Sequence, residues 1–184
     1  WQAEWVVDHR LDASLPVAIR AMRTISQLAE ASDDRVRSAA AKFHLASFLA
    51  WGSGDTDAAI TLVTEAQELF EAAGEPRRAL VATNEMGYLR GIAGDLDAHE
   101  RIAREVLAES EALDDGPLML QAICSLIWAL QPTGRLRESL DLMQRGLTLA
   151  RQEGRSYRIT YLLAQQGYTL ALLGQIPEAR SALA

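Results

Sequence analysis

Cysteine is almost absent from this sequence: its 184 residues contain one, Cys124. A single cysteine cannot form an internal disulfide, and such usage is typical of the reducing cytoplasm. Long apolar runs are absent too, since the richest, LMLQAICSLIWAL, is shorter than the ~20 residues that span a bilayer. The first residues, WQAEWVVDHR, lack the basic start and apolar middle of a secretory signal. We therefore predict a cytoplasmic protein that does not enter a membrane.

Positive charge is also scarce. The chain has 18 basic and 25 acidic residues, and its net charge is −7. A general nucleic-acid binder normally presents a dense basic patch, so direct binding of nucleic acid is not expected. No phosphate-binding loop is present, because GSG at 52–54 is not followed by Lys and Ser or Thr.

Glycine recurs at a fixed interval. The stretches WGSGDTDAA, GIAGDLDAH, QPTGRLRES and LLGQIPEA align on glycines spaced by forty residues, which are Gly54, Gly94, Gly134 and Gly174. Glycine ends a helix in the left-handed conformation at little cost, and the following Asp55 and Asp95 can cap the next helix. Such short turns predict antiparallel helix pairs. Five residues after each glycine, mostly small residues allow close packing of the pair; they are Ala59, His99, Ser139 and Ala179.

The apolar spacing between these turns is helical, and no window alternates like a strand. Inner helices are predicted near 35–51, 76–92, 117–131 and 156–172, and outer helices near 56–73, 96–113, 136–152 and 177–184. Residues 15–31 match 56–72 and predict an earlier outer helix, with residues 1–11 as the end of its inner partner. The fold class is an all-α, right-handed α-solenoid of antiparallel helix pairs. We expect one domain over 1–184, in repeats of approximately 1–33, 34–74, 75–114, 115–154 and 155–184. The missing initiator Met and an end in mid-helix indicate a fragment of a larger protein.

The segments NEMGYLRGIAGDLDAH and AQQGYTLALLGQIPEA carry a family resemblance. They resemble the tetratricopeptide repeat (TPR) in a long, forty-residue form, with departures at Ser47, Ile127 and His99. The resemblance implies a TPR-like superhelix that binds partners in its concave groove. Repeats of this kind look like those of large bacterial LuxR-type regulators, which are signal-transduction ATPases that control transcription. Neither their nucleotide-hydrolysing domain nor their DNA-binding domain is present in these residues.

No catalytic or metal-binding constellation is expected. The pairs Asp33–Asp34 and Asp114–Asp115 stand at predicted helix starts, where carboxylates cap backbone N–H groups. The histidines lack metal-ligand spacing. Cys124 and His44 occupy equivalent positions two repeats apart, too far for a nucleophile and its base, so Cys124 is predicted to be a buried small hydrophobe. We therefore expect a non-enzyme without cofactor or metal.

Aromatic residues are few, yet four share one repeat position. Six residues before each repeat glycine stand Phe48, Tyr88, Trp128 and Tyr168. In a TPR-like stack this position points into the concave groove, and Trp51 lies one turn beyond Phe48. Asn84 is the only residue that matches the carboxylate-binding pattern of chaperone-binding TPR domains, so that function is not expected. We predict a binding groove formed by Phe48, Trp51, Asn84, Tyr88, Trp128 and Tyr168. The alternative is that the aromatic residues only pack successive inner helices together.

Arginines cluster at the inner-helix starts. The candidates for a basic rim that receives an acidic partner are Arg37, Arg77, Arg78 and Arg158. The alternative is local pairing with Asp33, Asp34, Glu75 and Glu153.

The sequence thus predicts a non-catalytic protein-interaction or ligand-sensing module of a bacterial transcription regulator. Its groove would bind a peptide, a protein domain or a small inducer. Two alternatives stay open. One is an assembly scaffold that forms homo-oligomers through Trp1, Trp5 or an exposed terminal helix. The other is an accessory helical domain of a larger signalling enzyme.

Overall fold

The computed structural model describes residues 11–31 and 34–183, and side chains from residue 16 onward. These residues form α-helices joined by short turns, and the described ranges contain no strand. The helices are α1 (Leu11–Ala31), α2 (Arg35–Phe48), α3 (Thr56–Ala72), α4 (Pro76–Ile92), α5 (Leu96–Ala112), α6 (Gly116–Leu130), α7 (Leu136–Gln152), α8 (Ser156–Leu172) and α9 (Ile176–Ala182). The predicted all-α arrangement of helix pairs is confirmed, and most boundaries agree within two residues.

The turns have the predicted chemistry. The repeat glycines adopt the left-handed conformation, with φ of 70° at Gly54 and 95° at Gly94. The side chain of Asp55 accepts a hydrogen bond from the Ala58 amide at 3.2 Å, and that of Asp95 accepts one from Ala98 at 3.0 Å. Each glycine therefore ends one helix and each aspartate begins the next.

The carboxylate pairs also behave as caps where they are described. Asp34 accepts from the Arg37 amide and Asp115 from the Leu118 amide, both at 3.0 Å. Asp33 lies outside the described residues. Asp114 has φ of 51° and is the one non-glycine residue with positive φ in the described part of the chain. The turn between α5 and α6 thus uses an aspartate where the other turns from α2 onward use glycine.

The chain divides into two compact units, Trp1–Gly94 and Asp95–Ala184. In unit 1, α2 packs between α1 and α3, and α3 packs on α4. Its core combines small and large apolar side chains, including Leu45, Leu49, Val63, Phe70 and Leu89. The small residue predicted at the start of α3, Ala59, has no exposed surface. Lys42, on α2, reaches Glu30 of α1 at 2.6 Å and Glu65 of α3 at 2.7 Å, so its ammonium group joins three helices.

In unit 2, α6 packs between α5 and α7, and α8 between α7 and α9. Helix α6 is the most deeply buried helix of this unit, and Cys124 is one of its buried residues, as predicted. His99 occupies the small-residue position of α5 and is 2% exposed. One of its ring nitrogens lies 2.9 Å from the hydroxyl of Ser125 on α6. The His99 side chain fits at this position because the residue that faces it on α6, Ser125, is small and polar.

Two local predictions were wrong. Helix α1 begins at Leu11 and continues through Pro16, so no break separates residues 11 and 15. The inner helix predicted over 35–51 changes to a π-helical turn over Leu49–Ser53. Residues 1–10, which include Trp1 and Trp5, lie outside the described residues. The single domain and the longer parent protein stay predictions.

Candidate functional site

The aromatic position of the inner helices is partly exposed. Trp128 is 40% exposed and Tyr168 is 58% exposed, whereas Phe48 and Tyr88 are half-buried. Apolar side chains of this size normally lose their contact with water when they serve only to pack helices. Trp128 and Tyr168 are therefore accessible to a partner, and the predicted role of the six groove residues in binding stays a prediction.

In unit 1 the surface is built around Trp51. This residue lies within the π-helical turn Leu49–Ser53. At the end of the turn, the Asp55 amide donates a hydrogen bond to the Leu49 carbonyl at 3.1 Å. The indole is 43% exposed. Its ring centroid lies 5.0 Å from that of Tyr88 on α4, with 36° between the ring planes. Wide turns of this kind are frequent at functional sites because they redirect side chains.

Two polar residues precede Tyr88 on α4. Asn84 is 4% exposed, and its Oδ1 atom accepts no hydrogen bond from the described part of the chain. Glu85 is half-buried, and this burial raises the pKa of its carboxyl from 4.5 to about 7. Residues three and four apart are neighbours on a helix, so both side chains start next to Tyr88.

In unit 2 the aromatic surface is tied together by hydrogen bonds. The Trp128 indole N–H on α6 donates to the Tyr161 hydroxyl on α8. Burial raises the pKa of Tyr161 above its ordinary value, so this hydroxyl stays protonated at neutral pH. One turn beyond Trp128, the Gln131 amide donates to Gln165 Oε1 at 3.2 Å and to Thr169 Oγ1 at 2.9 Å. Trp128 is therefore held in one orientation by the neighbouring inner helix.

The predicted basic rim is partly neutralised by local pairs. Arg37 lies 3.2 Å from the carboxylate of Asp34, and Arg78 lies 3.6 Å from that of Glu75. The guanidinium of Arg78 also lies 5.9 Å from the centre of the Phe70 ring. Arg77 and Arg158 likewise take part in interactions. A role of these four arginines in binding an acidic partner stays a prediction.

The described residues contain neither a cluster of metal-ligating side chains nor a helix that could span a membrane. No three His, Cys, Asp or Glu side chains of this part of the chain are grouped as ligands for a metal ion. None of its helices has the length and apolar character needed to cross a bilayer.

Sequence reasoning missed Tyr161 and Glu85. The positions equivalent to Tyr161 in the other repeats are Ala41, Val81 and Gln121, so no aromatic pattern marks it. Those equivalent to Glu85 are Leu45, Ser125 and Gln165. A carboxylate at an inner-helix position that is otherwise uncharged was the available signal for Glu85.

The fold is similar to that of solved TPR-like repeat proteins. Two crystal structures of "kinesin light chain nearly identical TPR-like repeats" from Podosopora anserina have TM-scores of 0.69 and 0.67, at 15% and 16% identity. They cover 99% of this chain and 89% and 90% of the other chains. BtubC (BKLC) from P. vanneervenii has a TM-score of 0.67 at 12% identity, over 99% of this chain and 83% of that one. The sequence matches no protein-family model and no curated protein. These likenesses confirm the TPR-like helical-repeat fold.

Proposed function

We propose that this chain is a non-catalytic interaction module that binds peptide segments of a partner protein on the inner-helix surface of each unit. The observation that carries the proposal is the exposure of large aromatic side chains on these surfaces. Trp51 of unit 1 is 43% exposed, and Trp128 and Tyr168 of unit 2 are 40% and 58% exposed. Rigid, partly exposed aromatic residues supply much of the binding energy at protein interfaces. The hydrogen bond from Trp128 to Tyr161 reduces the entropy that this surface loses on binding.

A peptide selection tests this function. Peptides would be selected from a displayed random library on the wild-type chain, and their affinities would then be measured by calorimetry. We expect Trp51→Ala or Trp128→Ala to weaken binding by about tenfold or more, because truncating a central aromatic residue typically costs more than 1 kcal/mol. Leu113→Ala is the matched control, since Leu113 is 61% exposed but lies in the turn after the outer helix α5. Peptides that bind the wild type and the double variant Trp51→Ala/Trp128→Ala equally well would contradict the proposal.

The regulatory context belongs to the same proposal. We propose that the module senses its ligand within a cytoplasmic bacterial transcription regulator, where binding alters its contacts with a nucleotide-hydrolysing domain. The support is the resemblance of the forty-residue repeats to those of LuxR-type regulators. The sequence encoded next to these residues is the test. A Walker motif together with a helix-turn-helix would support this context, and a catalytic domain in their place would contradict it.

Self-association is the second candidate function, and α1 favours it. Val17, Ile25 and Leu28 lie on one face of this helix and are 55%, 49% and 66% exposed. An apolar stripe of this kind is typical of a surface that packs against another helix. Sedimentation velocity across a concentration series distinguishes the two functions. A concentration-dependent dimer that Ile25→Glu/Leu28→Glu abolishes would establish self-association, and a monomer at all concentrations would exclude it.

A further inference from the structure

Three polar side chains of unit 2 form a chain of hydrogen bonds between the end of α6 and the middle of α8. The side-chain nitrogen of Gln131 donates to Gln165 Oε1 at 3.2 Å and to Thr169 Oγ1 at 2.9 Å. The Thr169 hydroxyl donates in turn to the Gln165 backbone carbonyl at 2.8 Å. Thr169 has no exposed surface, so this chain of bonds is anchored in the interior of the unit.

These bonds fix which way the Gln131 amide faces. A hydroxyl has one proton, and the Thr169 proton is used at the Gln165 carbonyl, so Thr169 Oγ1 only accepts from Gln131. Exchanging the nitrogen and oxygen of Gln131 would place an oxygen against Thr169 Oγ1, which has no proton left to donate. The Gln131 nitrogen therefore faces α8, and both of its protons are used there.

Two atoms of the Gln131–Gln165 pair have no partner in the described residues. Gln131 Oε1 accepts no hydrogen bond there, and Gln165 Nε2 donates none. Neither atom is buried, because Asn84 Oδ1 is the one buried side-chain polar atom without a partner in that part of the chain. The two side chains themselves are half-buried. Unit 2 therefore presents one acceptor and one donor on adjacent amide groups whose other atoms are held in place.

Exposed aromatic side chains lie on both sides of this pair. Trp128 bonds to Tyr161, and Gln131, three residues later, bonds to Gln165, so α6 and α8 run in the same direction here. Tyr168 follows Gln165 by three residues, which is about one turn. The pair thus lies between Trp128 and Tyr168 along the helices, and these residues are 40% and 58% exposed. Large side chains around a polar site exclude water from a bound group, which strengthens its hydrogen bonds.

A group that completes the pair carries a donor and an acceptor together and has no charge. A carboxylate offers only acceptors and would leave Gln131 Oε1 without a donor, and an ammonium or guanidinium group offers only donors and would face Gln165 Nε2. A primary carboxamide offers a C=O and an N–H2 on one carbon. A trans peptide group directs its C=O and N–H to opposite sides, so a backbone needs two successive peptide groups to supply both. A half-buried pair between larger aromatic residues favours a side chain that reaches inward.

We propose that the Gln131–Gln165 pair binds the carboxamide side chain of a glutamine or asparagine residue of a partner protein. In this arrangement the ligand carbonyl accepts from Gln165 Nε2 and the ligand N–H2 group donates to Gln131 Oε1. The aliphatic part of the ligand side chain lies against Trp128. The proposal rests on the proposed function and specifies a side chain that unit 2 selects in the bound peptide.

The test titrates three capped amino acids into the ¹⁵N-labelled chain and follows the side-chain N–H2 signals of Gln131 and Gln165. The probes are the acetyl methylamides of glutamine, glutamate and alanine, which share one backbone. We expect the glutamine probe to shift both signals. The glutamate probe has the same shape, and at neutral pH it should bind more weakly by about tenfold or more, because its carboxylate leaves an amide oxygen without a donor. The alanine probe measures binding of the backbone alone and should shift neither signal.

Two variants assign the signals and the effect. Gln165→Glu keeps an oxygen that accepts from Gln131 and replaces the free donor by an acceptor, so it should weaken binding of the glutamine probe by about tenfold or more. Gln131→Leu removes the pair and should abolish binding, as read from the remaining Gln165 signal. Gln144→Glu is the matched control, because Gln144 is an exposed residue of the outer helix α7 and the change adds the same charge. Circular dichroism checks that each variant keeps its helicity.

Other outcomes overturn the proposal in distinguishable ways. If the alanine probe shifts the two signals as strongly as the glutamine probe, the site binds backbone and the carboxamide assignment is wrong. Equal binding of the glutamate probe, or unchanged binding by Gln131→Leu, contradicts it as well. If library-selected peptides need Trp128 for binding but need no glutamine or asparagine of their own, the interaction function stands and only this inference fails. If no peptide and no probe binds the chain, both fail.

Discussion

Replacing Glu85 by glutamine should make the protein more stable at alkaline pH and not at acidic pH. Below pH 4.5 the carboxyl is protonated in the folded and the unfolded chain alike, so it costs nothing. Between 4.5 and about 7, the unfolded chain loses this proton while the folded chain keeps it, so the folded state is progressively destabilised as pH rises. Each pKa unit is worth about 1.4 kcal/mol, so the full penalty above pH 7 is about 3 kcal/mol.

Urea unfolding followed by circular dichroism measures this difference, with wild type and Glu85→Gln compared at the same pH. We expect the variant to gain about 2–3 kcal/mol well above pH 7 and less than about 0.5 kcal/mol near pH 4.5. Contributions from other titrating groups cancel in this comparison. Glu68→Gln should leave stability unchanged at both pH values. A gain that is equal at the two pH values, or no gain at alkaline pH, would refute the burial of an uncompensated carboxylate.

Three further changes test other parts of the structure. Burial lowers the pKa of His99 from 6.5 to about 4, so the free energy of unfolding of wild type should fall by about 3 kcal/mol as pH decreases across that interval. His99→Gln should remove this loss, which acid-unfolding curves measure. Asp114→Gly should raise the free energy of unfolding by about 0.5–1 kcal/mol, because glycine adopts its positive φ without strain; a lower melting temperature would contradict this. Lys42→Met should cost about 1–2 kcal/mol in urea unfolding at low salt and less in concentrated NaCl, since it removes contacts of an ammonium group with two half-exposed carboxylates.

The helix boundaries were predictable because their determinants are local. A glycine with positive φ and an aspartate that caps the next amide act within three or four residues of chain, so Gly54–Asp55 and Gly94–Asp95 mark their turns in the sequence itself. The π-helical turn at Leu49–Ser53 has no such mark, because the residues around it suit an α-helix equally well. The positive φ of Asp114 was not predictable either, because the stretch LDDG contains a glycine that looks like the turn residue. That glycine, Gly116, instead begins α6.

The candidate site was predictable only where the repeat itself identifies it. One repeat position holds an aromatic residue in four repeats, and the forty-residue spacing shows this in the sequence. The four residues are Phe48, Tyr88, Trp128 and Tyr168. The contacts that give the surface its chemistry are between helices. The hydrogen bond from Trp128 to Tyr161 joins residues 33 positions apart, and no periodic signal connects them. The sequence marks Glu85 only as a carboxylate at an otherwise uncharged inner-helix position, and its half-buried state became visible only in the fold.

The separation between turn residues and surface residues has a consequence for how such a chain can change its partners. The residues that set the helix ends, such as Gly94 and Asp95, are not those that expose aromatic side chains on the inner helices, such as Trp128 and Tyr168. The apolar cores likewise use other residues of the inner helices, such as Leu126, Ile127 and Leu130 of α6. A substitution at an exposed position such as Tyr168 would therefore alter the proposed binding surface without removing a cap or a turn glycine. A repeat protein of this design can acquire a new specificity through two or three substitutions, each compatible with the folded helices that carry it.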